Sequence, residues 1–132
     1  MGSTDRKNRG QSLVEFMLVL PILLLLLVGI AEFGRAWMTQ SILTGAAREA
    51  VRVFALDPAF GGGSGPANLR AAEILASANI NGATVQLVDD GVNFGTVTAT
   101  VSYTFPLAVV GYFAISPADI PLSSSTSMRK EH

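Results

Sequence analysis

Few residues in this 132-residue chain have side chains suited to a chemical reaction, and catalysis is the class of function that they support least. The chain has no cysteine, which excludes a disulfide scaffold, a thiolate zinc site and a cysteine nucleophile. Its single histidine, His132, cannot form a histidine metal cluster, and its terminal position argues against a Ser-His-Asp triad. The sequence therefore predicts a protein that is not an enzyme and that has no cofactor.

Two adjacent carboxylates, Asp89 and Asp90, offer the best candidate for a metal site. A calcium ion is one interpretation, because Ca²⁺ binds carboxylate oxygens. No EF-hand spacing surrounds them, and acidic residues before glycine are typical of turns. A glycine-rich run at 61–65 lacks the Lys-Ser/Thr pair of a phosphate-binding loop, and no basic stripe suggests nucleic acid. The sequence favours a turn at the two aspartates, a linker at the glycines and no metal.

Glu15 is the most unusual charged residue, because it lies in a long apolar segment. From Phe16 to Ala31 every residue is apolar, proline or glycine, and Glu15 is the one charge within 13–31. As a helix this segment spans roughly 28 Å, close to the hydrocarbon thickness of about 30 Å. The alternative is a buried core helix, but the rest of the chain is too small to surround Leu23–Leu27 on all sides. The sequence predicts a membrane-spanning segment over 13–31.

The helical pattern continues past this segment. Residues 37–56 contain no proline and one glycine, and apolar residues recur there mostly at four-residue spacing. We therefore predict one long helix over 11–56, starting near Ser12, that is amphipathic after residue 31. Pro21 predicts a kink, because it lacks the N–H that would bond to residue 17, and a specific role in assembly stays open.

Charge is distributed unevenly along the chain. Residues 1–10 carry a net charge of +2, and residues 57–132 carry −3. By the positive-inside rule, residues 1–10 form a cytoplasmic basic leader and the C-terminal part lies across the membrane.

The sequence of the C-terminal part predicts a small α+β domain over 67–132, which follows a Gly/Pro-rich linker over 57–66. A short helix is expected from Pro66 or Ala67 to Ala78, with Leu69, Ala72 and Leu75 or Ala76 on one face. Strands are expected around 85–87, over 96–105 and over 122–128, with a hairpin turn at 89–95. The second strand should bury Val97, Ala99, Val101, Tyr103 and Phe105 against the helices.

The apolar stretch 107–115 is too short for a second membrane crossing. Its large residues form either part of the core or a contact surface for other subunits. The predicted fold class is α+β, with a long N-terminal transmembrane helix, a second short helix and an antiparallel three-stranded sheet.

The N-terminal motif resembles a known family. Residues 9–16, Arg-Gly-Gln-Ser-Leu-Val-Glu-Phe, and the following Leu18–Leu24 resemble the N-terminal signature of TadE-like proteins. These are pseudopilins, or minor pilins, of the tight-adherence (Flp-type IV) pilus system. The similarity continues through 32–35 and 46–52, and residues 125–131 resemble the closing strand of the family. The similarity covers about the first 55 residues well. Over the rest of the chain it is limited to the predicted architecture.

The resemblance implies roles for particular residues. A prepilin peptidase would cleave between Gly10 and Gln11, and Glu15 would act in processing and subunit docking, with Phe16 as the aromatic residue that follows it. The new α-amine of Gln11 would then pair with Glu15 of a neighbouring subunit. The alternative is that the Glu15 carboxylate reaches the lipid headgroups. The phenylalanine at position 16, where the major pilins prefer tyrosine, and the larger C-terminal domain favour a minor component.

Two functions are therefore expected. The first is a membrane-anchored prepilin, clipped after Gly10, that takes part in assembly or initiation of the pilus. Its partners would be membrane lipid, the prepilin peptidase, other pilin subunits and the inner-membrane assembly platform. It would lie in the bacterial inner membrane with its C-terminal domain periplasmic, or outside the cell in the pilus. The second is a single-pass periplasmic binding or scaffold module that never enters a filament.

Overall fold

The computed structural model describes residues 4–56, 65–92, 94–107 and 119–130, and for residues 4–9 it describes the backbone alone. It confirms the predicted α+β class, with two helices and one antiparallel sheet in these residues. Residues 57–64 of the linker and residues 108–118, which include all but the first residue of the apolar stretch 107–115, lie outside the described residues, so predictions made for them stay predictions. The elements in chain order are α1 (Thr4–Leu56), α2 (Pro66–Ser77), β1 (Thr84–Asp89), β2 (Thr96–Pro106) and β3 (Asp119–Arg129).

Helix α1 begins at Thr4, earlier than the start expected near Ser12. No proline lies between these positions, and a single glycine inside a helix costs only about 1 kcal/mol, so Gly10 does not stop it. The helix continues through Pro21 and ends at Leu56, where Pro58 follows closely. The chain forms two compact units, residues 1–34 and 35–132, which are described separately below.

The sheet of the second unit has the order β1-β2-β3, with both neighbouring pairs antiparallel. In the central strand β2, Val97, Ala99 and Val101 are fully buried and Phe105 nearly so, as predicted for the inward face. Tyr103, which was also predicted to be buried, is partly buried against the core. Strand β3 lies at an edge and therefore tolerates Pro121, which cannot donate a backbone hydrogen bond.

The core of the second unit lies between the C-terminal part of α1, helix α2 and the inward face of β2. Alanines supply much of it, which lets these elements approach closely. The residues that the two helices supply to this core are Leu43, Ala46, Ala47, Ala50, Val51, Phe54, Ala67, Ala71 and Leu75.

The buried face of α2 agrees with the predicted one only at Leu75, which is buried. The other buried residues are Ala67 and Ala71, whereas Leu69 is 61% exposed and Ala72 is exposed, so the prediction was wrong for these two. Both sets have helical spacing, so periodicity alone did not separate them. In the folded protein the face of α2 that carries small alanine side chains packs inward, because it fits against a core that is itself rich in alanine.

Helix α1 holds strand β3 partly through polar contacts. The Gln40 side-chain amide donates to the backbone carbonyl of Ser123 at 2.8 Å. The hydroxyls of Thr44 and Ser124 are 2.9 Å apart and share a hydrogen bond. Strand β3 is rich in serine, so hydrogen bonds help to attach it to α1. Strand β2 is held instead by apolar packing.

The β1–β2 hairpin turns around the carboxylate of Asp90. This carboxylate accepts hydrogen bonds from the backbone N–H groups of Val92 at 3.1 Å and Thr96 at 2.6 Å. A Cβ atom at Gly95 would collide with both carboxylate oxygens and with Cγ of Asp90. Glycine at position 95 is therefore required by the carboxylate that organises the turn.

Replacing Gly95 with alanine is expected to destabilise the fold by about 1 to 2 kcal/mol, because Asp90 must rotate away and lose its two backbone hydrogen bonds. The matched control is Gly45→Ala in α1, where an added Cβ meets nothing within 4 Å. That variant should gain up to about 1 kcal/mol from helix propensity. Thermal unfolding of both variants measures the effect, and equal shifts of the same sign would contradict this account of the turn.

Candidate functional site

The residues singled out for processing and docking lie in the N-terminal part of α1. Gly10, Gln11 and Glu15 are all exposed. The side-chain amide of Gln11 donates to Oε1 of Glu15 at 3.3 Å, one helical turn away. The structure thus brings Gln11 and Glu15 together. Phe16 is 60% exposed and points about 100° away from Glu15 around the helix, because each residue turns by that angle.

The same helix presents a continuous apolar surface. Leu13, Met17 and Leu24 are 58%, 64% and 52% exposed, and most other large residues as far as Ile30 are similar, with Leu20 and Val28 partly buried. Covering one such side chain contributes about 1.5 to 3 kcal/mol, so a surface of this size favours an apolar surrounding. The helix over Gly10–Leu56 is long and apolar enough to cross a membrane, and its most apolar window has a mean hydropathy of 2.8 with no buried residues.

Pro21 lies six residues after Glu15, about 9 Å along the helix, and therefore outside the Gln11–Glu15 pair. Its side chain is exposed within the same apolar surface. Proline removes one backbone donor, so the carbonyl one turn earlier lacks its usual helical partner. The consequences predicted for Pro21, a kink or a role in assembly, stay predictions.

The two aspartates considered for calcium contact a lysine. Nζ of Lys130 lies 2.6 Å from Oδ1 of Asp89 and 3.7 Å from Oδ1 of Asp90, and the Lys130 side chain is only 6% exposed. The Lys130 backbone N–H also donates to the carbonyl of Gly95 at 2.9 Å. Within the described residues no group of three or more His, Cys, Asp or Glu could hold a metal ion. The arrangement attaches the end of β3 to the β1–β2 hairpin.

Both carboxylates of this hairpin are stabilised in the charged form. The Lys130 ammonium, followed by the backbone N–H of Gly91, holds the pKa of Asp89 below its ordinary value of 3.8. Hydrogen bonds from the backbone N–H groups of Thr96 and Val92 lower the pKa of Asp90 in the same direction. Groups with a lowered pKa stabilise the fold above their unfolded pKa, and this contribution is lost as the pH falls through their folded pKa.

Replacing Lys130 with methionine is expected to lower the melting temperature at neutral pH, because a partly buried carboxylate loses its cation. The deficit relative to the unmodified protein should shrink as the pH falls below about 4, where the aspartates become protonated. Thermal unfolding across this pH range measures the deficit. If it stays constant down to the most acidic condition, the Lys130–aspartate pairs do not stabilise this end of the sheet.

Sequence reasoning missed one feature of the second unit, a groove beside Arg35. The guanidinium carbon of Arg35 lies 5.2 Å from the ring centroid of Phe105, which is within range of a cation–π contact. The groove has a volume of about 240 Å³ and is lined by residues of α1, β2 and the turn after α2. The sequence does show a basic residue, Arg35, one turn after the apolar segment. Its aromatic partner Phe105 is distant in sequence, so the groove could not be predicted from local pattern.

A comparison with known protein families matches the part of the chain that contains the residues singled out for processing and docking. A family model described as TadE-like protein matches residues 10–52. No curated protein and no solved structure matches the chain. The match confirms the resemblance read from the N-terminal motif, and its range begins at Gly10 and includes Glu15, Phe16 and Pro21. The matched family and the long apolar helix together fit a pilus-associated membrane protein, and over residues 10–52 this chain is similar to the TadE-like proteins of tight-adherence pili.

Proposed function

We propose that this chain is a TadE-like minor pilin or pseudopilin, a membrane-anchored prepilin that takes part in assembly or initiation of a tight-adherence type IV pilus. The observation that carries the proposal is the family match over residues 10–52, a range that includes the exposed apolar part of α1. We assign the protein no enzymatic role. Its contribution is to insert, to be processed and to pack against other subunits.

The proposed orientation follows from charge. The net charge of +2 over residues 1–10 favours the cytoplasmic side, and the C-terminal domain then lies in the periplasm or, within a pilus, outside the cell. In this orientation the leader is accessible to a prepilin peptidase at the inner membrane. The assembly platform and other pilin subunits would meet the apolar part of α1.

Cleavage after Gly10 would change the electrostatics around Glu15. The Glu15 carboxylate accepts one long hydrogen bond, from the Gln11 amide at 3.3 Å. Cleavage places an α-amine on Gln11, a cation at neutral pH with an ordinary pKa near 8. Pairing this amine with Glu15 of a neighbouring subunit would neutralise a carboxylate in an apolar region and set the axial register between helices.

The test of processing is the N-terminus of the protein extracted from membranes. We expect intact mass and N-terminal sequencing to show a mature chain beginning at Gln11. A variant with Gly10→Leu provides the control, because a bulky residue at the cleaved bond should leave the leader attached. An intact Met1 in the unmodified protein expressed with its peptidase, or a cut near Ala31, would refute the proposal.

A single-pass periplasmic scaffold that never enters a filament would share the same fold. Sheared pili separate the two functions, because a pilus subunit co-purifies with the filaments and a scaffold stays in the membrane fraction. An assembly factor that is processed at Gln11 and remains in the membrane would support the pseudopilin role without incorporation.

A further inference from the structure

The two edges of the three-stranded sheet differ in how they are covered. Strand β3 forms one edge, and its outward backbone groups include the carbonyl of Ser123, which accepts the Gln40 amide at 2.8 Å. Pro121 faces the same way two residues earlier and has no N–H to offer there. Devices of this kind keep an edge from pairing with another chain. Strand β1 forms the other edge, pairs with β2 alone among the described residues, and contains neither proline nor lysine.

Alternate residues of β1 direct their backbone groups away from β2. The N–H of Asp90, just after the strand, donates to the carbonyl of Thr96 at 3.3 Å, so Asp90 faces β2. Antiparallel strands alternate between residues that exchange hydrogen bonds and residues that do not. The backbone N–H and C=O groups of Val85 and Leu87 therefore point outward. No residue of β1 is buried, and the side chain of Val88 is 62% exposed.

A second copy of β1 is complementary to this edge. A two-fold axis through Gln86, perpendicular to the sheet, places Val85 of each copy opposite Leu87 of the other. Both residues have outward backbone groups, so each such pair exchanges both of its N–H···O hydrogen bonds. The same axis places Thr84 opposite Val88, and no residue over 84–88 is charged. The edge therefore offers a self-complementary row of donors and acceptors without repulsion between like charges.

Side-chain packing favours the same partner. Val85 and Leu87 are partly buried and pack against the core from its rim. In the paired arrangement each covers surface of the other, because opposite residues of antiparallel strands share a face and their side chains touch. Asp89 and Asp90 follow the paired segment, so the acidic side chains of the two copies do not face each other. The apolar inward face of one sheet is thus continued by that of the other.

We propose that two copies of this chain pair through β1, antiparallel and in register about Gln86, to form one sheet with three strands from each copy. The contact is isologous, so it closes at two copies and does not continue into a fibre. One pair of strands is a small interface, so the association is weak and a covalent trap is the suitable way to detect it. The inference goes beyond the proposed function and uses residues of the second unit alone.

The test introduces one cysteine at the two-fold axis, which gives an unambiguous readout because the chain has no cysteine of its own. Residues on this axis form a non-hydrogen-bonded pair with Cα atoms about 4.5 Å apart, a separation that a disulfide spans. The full-length Gln86→Cys variant is oxidised mildly in detergent micelles. Because pairing raises the effective concentration of the thiols, it should give about tenfold more disulfide-linked dimer than Ser127→Cys, an exposed position on β3.

Two further exposed positions of β1 test the register. Thr84→Cys alone and Val88→Cys alone should not cross-link, because each cysteine lies about 13 Å along the strand from its own equivalent. An equal mixture of these two variants should cross-link. Adding Gln86→Lys to both sets like charges opposite each other and should reduce the mixed product about fivefold, whereas adding Ser127→Lys should not.

Three outcomes would overturn the inference. Equal cross-linking of Gln86→Cys and Ser127→Cys would indicate association through another surface, such as the apolar part of α1. Cross-linking of Thr84→Cys or Val88→Cys alone would exclude the register. Absence of cross-linking at Gln86→Cys would exclude pairing of two copies through this edge. None of these variants alters residues 10–52, so the processing test of the proposed function succeeds or fails independently.

Discussion

A Glu15→Ala variant is expected to insert into the membrane normally and to be absent from pili. Insertion should not suffer, because a carboxylate at the helix centre costs about 2.5 to 3.5 kcal/mol on insertion scales, and less near the interface. Incorporation should be abolished, because the α-amine of Gln11 on each neighbour would lose its anionic partner. Immunoblots of membrane fractions and of sheared filaments measure the two effects separately.

The control for this experiment is Gln11→Ala. It removes the 3.3 Å hydrogen bond to Glu15 but keeps the carboxylate and, after cleavage, the α-amine. We expect it to be processed and incorporated like the unmodified protein. Incorporation of Glu15→Ala at the normal level would refute the amine–carboxylate pairing, whereas failure of both variants would assign the effect to the side-chain hydrogen bond.

The largest loss of stability is expected from Leu43→Ala. Leu43 is fully buried where α1 packs in the core of the second unit. Truncating a buried leucine removes its transfer free energy and leaves a cavity, which together cost about 2 to 5 kcal/mol. A small domain has only about 5 to 15 kcal/mol of stability, so this variant should unfold at a much lower temperature. Loss of near-ultraviolet circular dichroism on heating in detergent measures the shift.

Leu69→Ala is the matched control, because it makes the same chemical change at a site that is 61% exposed. Surface substitutions of this kind usually change stability by less than about 0.5 kcal/mol. The pair also tests which face of α2 packs against the core. Equal destabilisation by both variants would contradict the burial of Ala67, Ala71 and Leu75 in place of Leu69.

Features that depend on the local pattern of residues could be predicted from the sequence alone. The long apolar run predicted α1 and its suitability for a membrane, because length and hydropathy are properties of consecutive residues. Alternation in 96–105 predicted the inward face of β2, since side chains of a strand alternate between its two faces. The motif around Gly10 and Glu15 was sufficient to recognise the TadE-like resemblance, which the family match over 10–52 confirms.

Contacts between residues that are distant in the chain became evident only in the folded protein. Asp89 and Asp90 contact Lys130, which is about forty residues later, so the sequence showed two acids in a turn but not their cation. The buried face of α2 depended on the shape of the core it packs against, and the Arg35–Phe105 contact joined two elements that are seventy residues apart. Local pattern predicts helices and strands through short-range geometry, whereas ion pairs, grooves and packing faces arise from contacts between segments that only the folded chain brings together.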